Sequence, residues 1–172
     1  GIIFVGPNPE ALELFGDKIK AKALALASGV PLLAGTQGAT SLDAARAFFK
    51  AHGPMMIKAV AGGGGRGMRP VRVEAEIEEA YKRCQSEAKA AFGNGDVYVE
   101  KLIERARHVE VQIVADRVGG VAHLFERECS IQRRNQKIVE IAPSPSLSED
   151  LRGELCAAAV TLARAAAYDN LG

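Results

Sequence analysis

Residues 55–73 read MMIKAVAGGGGRGMRPVRV, and this is the most informative pattern in the chain. The apolar run over 55–60 predicts a strand, and the alternation over 68–73 predicts a second one. Between them, residues 61–67 are almost all glycine. Because glycine has no Cβ, backbone N–H groups of such a loop can approach and surround phosphate oxygens. The segment therefore predicts a strand, a glycine loop and a second strand that together cover phosphate groups.

The flanking residues separate this loop from three better known glycine loops. Gly62, Gly64 and Gly67 satisfy the GxGxxG pattern, but a dinucleotide-binding loop is followed directly by a helix, and here a strand is predicted. Met68 stands where a Walker A loop requires lysine. The protein-kinase loop has its lysine on a later strand, whereas Lys58 lies on the strand before this loop. The loop thus belongs to none of these classes.

Two lysines are candidates for binding the phosphates. Lys58 lies in an otherwise apolar strand, where a charge is costly unless it faces water or an anion. Its distance of four residues from the loop favours an anion, and an edge lysine that faces solvent is the alternative. Lys18 opens a predicted helix, and helix N-termini attract phosphate. Taken alone, Lys18 is more typical of a surface lysine.

The rest of the chain mixes helices and strands. Helices are predicted over 17–27, 41–52, 74–92 and 148–168, and strands over 2–5, 32–33, 55–60, 68–73, 96–102, 109–115, 121–126 and 138–141. The hairpins argue against a series of parallel βαβ units. The sequence thus predicts an α/β (α+β) fold in which helices pack on one face of a small antiparallel sheet.

Composition excludes several classes of protein. The 172 residues are 48% hydrophobic and 25% charged, and 22 basic against 21 acidic residues leave a net charge of +1, so a net basic field for nucleic acid is absent. No apolar run reaches the roughly 18 residues of a membrane span. The three cysteines contain no CxxC pair, which argues against a disulfide framework or a zinc knuckle. Because both ends interrupt a pattern, we expect a fragment of a longer chain.

Further polar positions keep two interpretations open. Residues 97–103 form an apolar strand that could line an adenine slot, while its Glu100-Lys101 pair could equally be a weak surface ion pair. His108, Glu110 and Gln112 share one face of a strand, which suits a cleft and ordinary solvent equally. Residues 126–137 are densely polar and suit either a solvated loop with internal ion pairs or a site for phosphate or bicarbonate.

A set of motifs, in order and with matching gaps, resembles biotin carboxylase, the ATP-grasp component of biotin-dependent carboxylases. The motifs are Gly16–Lys18, Ile57–Ala59, Gly62–Met68, Glu100–Lys101, Arg107–Glu110 and Glu128–Arg134. The resemblance implies an ATP-grasp fragment in three parts. These are the tail of a Rossmann-like domain over 1–30, a lid with the glycine loop over 31–102, and the first part of a larger domain over 103–172.

The resemblance also implies roles for individual residues. Lys18 and Lys58 would hold the ATP phosphates under a lid formed by Gly62, Gly63, Gly64, Gly65 and Gly67. The adenine contacts would be Glu100, Lys101 and Ile103, with His108 at the ribose, Gln132 as a further nucleotide contact and Lys137 at bicarbonate. Asn135 stands where bacterial biotin carboxylases carry histidine. At this catalytic position asparagine can donate a hydrogen bond to phosphate, but it cannot titrate or carry charge.

The implied reaction is carboxylation of biotin by bicarbonate, driven by ATP through carboxyphosphate, with Mg²⁺ or Mn²⁺. The implied partners are a biotin carrier domain, a carboxyltransferase and a second copy in a homodimer, in the cytoplasm or the mitochondrial matrix, with no nucleic acid or membrane. The metal-binding glutamates would lie further along the chain, so no metal ligand is assigned here and the 172 residues alone are predicted not to turn over ATP. The alternatives are another ATP-grasp ligase, of the carbamoyl-phosphate or purine-pathway type, and a non-catalytic nucleotide-binding module.

Overall fold

The computed structural model describes residues 4–61, 67–134 and 136–171. The chain divides into two compact units. The central unit comprises residues 16–23 and 31–104, and the terminal unit comprises residues 1–15, 24–30 and 105–172. The three-part division expected from the family resemblance stays a prediction.

Regular structure in the described residues consists of helices and antiparallel strands. The helices are α1 (Pro9–Gly16), α2 (Lys18–Ala27), α3 (Leu42–His52), α4 (Ile77–Phe92, after a 3-10 turn over Glu74–Glu76) and α5 (Glu149–Ala165). The strands are β1 (Met55–Ala59), β2 (Met68–Val71), β3 (Val97–Lys101), β4 (Val109–Ala115), β5 (Val121–Arg133) and β6 (Gln136–Ile141). The sheets have the orders β2-β1-β3 in the central unit and β4-β5-β6 in the terminal unit.

Strand β1 is the middle strand of the central sheet, and burial alternates along it. Met55, Ile57 and Ala59 are buried in the core, whereas Met56 and Lys58 between them are half-buried. Successive side chains of a strand point to opposite faces, so Lys58 lies on the face opposite the core. The core is completed from both flanking strands and from helices α3 and α4, by Ala45, Val71, Ile77, Tyr81, Cys84, Val97 and Val99.

Strand β5 is much longer than the sequence predicted. Residues 126–133 form strand rather than a solvated loop, and they pair with β4 through Val109 and Glu128 and with β6 through Gln132 and Lys137. Burial of Glu126 and Glu128 explains why the solvated-loop interpretation of residues 126–137 is wrong. A charged residue normally marks a solvent-exposed position, and only partners from elsewhere in the fold allow it inside.

Most elements lie where the sequence placed them. The helices predicted around α2, α3, α4 and α5 are confirmed, and Ser41 caps α3 by accepting a hydrogen bond from the Ala44 amide. The strand predicted over 32–33 is wrong, as is the described end of the strand predicted over 2–5. Helix α1 was not predicted. None of the helices in the described part of the chain is long and apolar enough to span a bilayer.

Replacing Gly153 with alanine is expected to stabilise the terminal unit by about 0.5–1 kcal/mol, because alanine favours a helix interior over glycine. Gly153 lies within α5, and a Cβ at this position would meet no atom within 4 Å. Hydrogen exchange of the α5 amides measures the change. The matched substitution Gly93→Ala should destabilise the end of α4 by roughly 1 kcal/mol, because Gly93 has φ +75°. Faster exchange in Gly153→Ala would contradict the prediction.

Candidate functional site

The central unit gathers a group of charged side chains that we call the lysine cluster: Lys18, Lys22, Lys58 and Glu100. Lys18 and Lys22 come from α2, Lys58 from β1 and Glu100 from β3. Glu100 is buried, and its two carboxylate oxygens form ion pairs with Lys22 and Lys58. The alternative that Glu100 forms a surface pair with Lys101 is therefore wrong. Helix α2 and the β1–β3 pairing together bring these residues to one place.

The lysine cluster carries more positive than negative charge, with three ammonium groups against one carboxylate. Burial alone would raise the pKa of Glu100, but hydrogen bonds from Lys22 and Lys58 outweigh it and keep the pKa below its usual value. Burial and the neighbouring charge of Lys58 lower the pKa of Lys18. Lys22 also lies over the Tyr98 ring, 4.7 Å from its centroid. The uncompensated charge makes this cluster suited to an anion.

The flanks of the glycine segment lie beside the lysine cluster. Ala61 forms a β-bridge with Asp17, the residue that precedes α2 and accepts hydrogen bonds from the amides of the first turn. At the other flank, Gly67 has φ +64°, and a Cβ there would lie 2.9 Å from the Cβ of Ala59. The predicted phosphate contacts Gly62, Gly63, Gly64 and Gly65 lie outside the described residues. The described flank at Ala61 thus lies next to the residue that precedes α2.

The outer edge of β3 is covered by residues 34–36. Gly35 bridges Glu100, and the Lys101 amide donates a hydrogen bond of 2.8 Å to the Ala34 carbonyl. A Cβ on Gly35 would lie 2.8 Å from the Val99 carbonyl oxygen, so this approach requires glycine. The side chains of Lys101 and Ile103, predicted as adenine contacts, are exposed. The buried Glu100 and the exposed Ile103 therefore have very different surroundings.

In the terminal unit, His108 and Gln132 lie together in a pocket of about 430 Å³. The lining residues are Ala106, Arg107, His108, Val109, Ser130 and Gln132. The Gln132 side-chain nitrogen lies 2.7 Å from His108 Nδ1 and also donates a hydrogen bond to the Cys129 carbonyl. Pairing of β4 with β5 brings these two predicted nucleotide contacts together although 24 residues separate them.

Lys137 belongs to a network of ion pairs in the same unit. It pairs with Glu110 and lies 3.7 Å from Glu140, and Arg127 pairs with both carboxylates. The hydrogen bond to Glu110 raises the pKa of Lys137, so this ammonium group stays charged at neutral pH. Asn135, its predicted catalytic neighbour, lies outside the described residues.

A group of possible metal ligands occurs within this network. Ligand atoms of Glu110, Cys129 and Glu140 lie within 4.8 Å of one another. Both carboxylates already pair with Arg127 and Lys137, and magnesium takes oxygen ligands rather than a thiol. Within the ranges that the structure describes, this group does not fit a magnesium site.

Several residues of these sites were not found from the sequence. Lys22 lies one helical turn after Lys18, so the spacing on one helix face could have indicated it. Ser130 lines the His108 pocket, accepts a hydrogen bond from the His108 amide and donates one to the buried Glu128. Both belong to a motif that carries the family resemblance, but no role was predicted for them, because the sequence of a polar strand does not tell which face is covered.

Comparison with known proteins places the chain in a family. Residues 17–172 match the family described as carbamoyl-phosphate synthase L chain, ATP binding domain. Pyruvate carboxylase from Bacillus subtilis is 56% identical over 174 aligned positions, which cover 100% of this chain and 15% of that protein. The chain therefore spans a small part of the length of such relatives.

Solved structures agree with this assignment. The biotin carboxylase–β,γ-ATP complex from Campylobacter jejuni superposes with a TM-score of 0.94 at 45% identity, over 99% of this chain and 39% of that one. The biotin carboxylase domain dimer of the 2-oxoglutarate carboxylase from Hydrogenobacter thermophilus, with MgADP, ADP and bicarbonate, gives 0.92 at 43% identity, over 99% and 38%. These matches confirm the ATP-grasp fold and the resemblance to biotin carboxylase. The chain thus belongs to the carbamoyl-phosphate synthase L chain ATP-binding domain family, and within it is similar to biotin carboxylases.

Proposed function

We propose that this chain forms part of the ATP-binding region of a biotin carboxylase. In the overall reaction, ATP, bicarbonate and biotin yield carboxybiotin, ADP and phosphate. The observation that carries the proposal is the lysine cluster, whose excess positive charge lies beside the flanks of the glycine segment. The similarity to pyruvate carboxylase and to biotin carboxylase structures supports biotin over the other ATP-grasp substrates.

In this proposal the lysine cluster and the glycine segment bind the ATP phosphates. Lys18 and Lys58 contact phosphate oxygens, and Glu100 holds Lys58 in place through its carboxylate. The backbone amides of Gly62, Gly63, Gly64, Gly65 and Gly67 cover the same oxygens. Phosphoryl transfer depends mainly on positioning and on neutralising charge, which are the contributions that fixed ammonium groups and amides provide.

Other residues of the proposal bind the remaining parts of the substrates. Glu100, Lys101 and Ile103 surround the adenine, and His108 and Gln132 contact the ribose side of the nucleotide. Lys137 binds bicarbonate with an ammonium group that its pair with Glu110 keeps protonated. Asn135 donates a hydrogen bond where bacterial biotin carboxylases have histidine.

The proposal extends to partners. A biotin carrier domain would deliver biotin and a carboxyltransferase would accept the carboxyl group, in a homodimer like the domain dimer of the Hydrogenobacter structure. Mg²⁺ or Mn²⁺ is expected with ATP, and its carboxylate ligands are expected outside the described residues, since Glu110 and Glu140 are already paired. A location in the cytoplasm, or in the mitochondrial matrix of a eukaryote, is part of the same proposal.

Release of ADP by the full-length protein tests the proposed function. ATP, Mg²⁺, bicarbonate and free biotin are supplied together and then omitted one at a time. We expect ADP formation that requires both bicarbonate and biotin. ATP cleavage that is indifferent to biotin would contradict the proposal and favour another ATP-grasp ligase. Binding of ATP without any cleavage would favour a non-catalytic module.

A further inference from the structure

We infer that Ser130 and Glu128 are positioning residues that fix His108 in the wall of the terminal-unit pocket, so that its ring can bind a ribose hydroxyl. The inference rests on the proposed nucleotide-binding function and assigns two residues that act through the position of His108. It concerns the specificity of the pocket for the sugar rather than the transfer of the phosphoryl group.

Both backbone polar groups of His108 are held by strand β5. The His108 amide donates a hydrogen bond of 2.9 Å to Ser130 Oγ, and the His108 carbonyl accepts one of 2.7 Å from the Cys129 amide. Ser130 Oγ in turn donates its proton to Glu128 Oε1 at 3.0 Å. Because the hydroxyl is oriented by this carboxylate, its lone pair faces the His108 amide. The position of His108 thus depends on a chain of two hydrogen bonds that ends on Glu128.

Glu128 is a fixed acceptor behind the pocket wall. It is buried, and its Oε1 also accepts a hydrogen bond of 3.0 Å from Arg107. Its Oε2 accepts hydrogen bonds of 2.8 Å from Ser144 Oγ and 2.6 Å from Ser146 Oγ. Hydrogen bonds from Ser146 and Ser144 make the largest contributions to lowering the pKa of Glu128 to about 2, so the carboxylate is charged at neutral pH. Both carboxylate oxygens of Glu128 already accept hydrogen bonds from protein donors, so Glu128 influences the pocket through Ser130.

Gln132 orients the His108 ring, in addition to the contacts that hold the His108 backbone. Its side chain is half exposed, and Nδ1 lies 2.7 Å from the amide nitrogen of Gln132. An amide nitrogen can only donate, so Nδ1 accepts and the neutral ring carries its proton on Nε2. The Gln132 nitrogen is itself held by the Cys129 carbonyl at 3.0 Å. His108 Nε2 lies 3.8 Å from the Glu110 carboxylate, too far for a hydrogen bond, and can donate to a hydroxyl.

The experiment compares ATP with 2′-deoxyATP and 3′-deoxyATP as substrates of the full-length protein. Ser130→Ala, Glu128→Gln and His108→Ala are measured beside Ser130→Thr, which keeps the hydroxyl, and Ser86→Ala, which changes an exposed serine of α4. We expect His108→Ala, Ser130→Ala and Glu128→Gln each to reduce the preference for ATP over the same deoxynucleotide, either 2′-deoxyATP or 3′-deoxyATP. The expected reduction is about 5- to 10-fold, as loss of one hydrogen bond predicts. The change should appear in KM with kcat almost unchanged, and Ser130→Thr and Ser86→Ala should retain the preference.

Three results separate the inference from the proposed function. If His108→Ala reduces the preference while Ser130→Ala and Glu128→Gln do not, the positioning role is overturned and the ribose contact stands. If Ser130→Ala raises KM for ATP and for both deoxynucleotides by the same factor, the role of Ser130 is structural and the inference is also overturned. If His108→Ala leaves the preference unchanged, the ribose contact fails and the inference with it. Biotin-dependent ADP formation from ATP, measured in the same samples, shows whether the carboxylase function itself holds.

Discussion

Replacing Lys58 with methionine is expected to lower kcat/KM for ATP by about 100-fold in the full-length protein, because one preorganised positive group on a transferring phosphoryl contributes roughly this much. Methionine keeps the apolar length of the side chain and removes the charge. The fold should persist, since Lys58 lies on the face of β1 opposite the core and Glu100 keeps its ion pair with Lys22. Steady-state ADP formation measures the effect, and thermal unfolding checks the fold.

Two further variants calibrate this result. Lys82→Met removes an exposed lysine of α4 that pairs with Glu78, and it should leave the rate within about twofold, because exposed ion pairs contribute little. Lys58→Arg keeps the positive charge but replaces a compact ammonium group with a planar guanidinium, so a loss of kcat/KM between those of the other two variants is expected. A Lys58→Met protein that retains more than a third of the wild-type kcat/KM would contradict the assignment of Lys58 to the phosphates.

Replacing Glu126 with leucine is expected to destabilise the terminal unit by about 3 kcal/mol, because removing one member of a buried ion pair leaves its partners unsatisfied. The Glu126 side chain is fully buried, and Oε1 accepts hydrogen bonds of 2.9 Å from Arg152 of α5 and 2.9 Å from the Ser144 amide. The carboxylate therefore connects β5 with α5 and with the segment after β6. Native-state hydrogen exchange of peptides from β5 and α5 measures the loss.

The pH dependence of unfolding tests whether the Glu126 carboxylate is the stabilising group. Burial alone would raise the pKa of Glu126, but hydrogen bonds from Arg152 and Ser144 hold it below its usual value of 4.5. A lowered pKa means that the stabilisation is complete above pH 4.5 and is lost as the pH falls through the lowered value. The stability difference between wild type and Glu126→Gln should therefore narrow in acid. The exposed Glu154→Gln variant of α5 should match wild type throughout, and a Glu126→Leu protein with wild-type exchange at neutral pH would refute the role.

The sequence alone determined the elements whose signals are local. The strand at β1, the Ser41 cap of α3 and the glycine segment between two strands were all recognisable, because apolar runs, capping and glycine conformation act over a few residues. The same holds for the resemblance to biotin carboxylase, whose motifs keep their order and spacing. The roles predicted for the site residues stay predictions until the enzyme is measured.

Tertiary structure decided which charged residues are exposed and which are buried. The sequence left open whether Glu100 belongs to an adenine slot or forms a surface pair with Lys101, and helix α2 and strand β1 supply Lys22 and Lys58 to it. For residues 126–137 the sequence left open a solvated loop or an anion site, yet α5 and the segment after β6 supply the donors that let Glu126 and Glu128 lie inside. A buried charge is tolerated only where its partners converge, and that convergence depends on contacts between residues far apart in the chain.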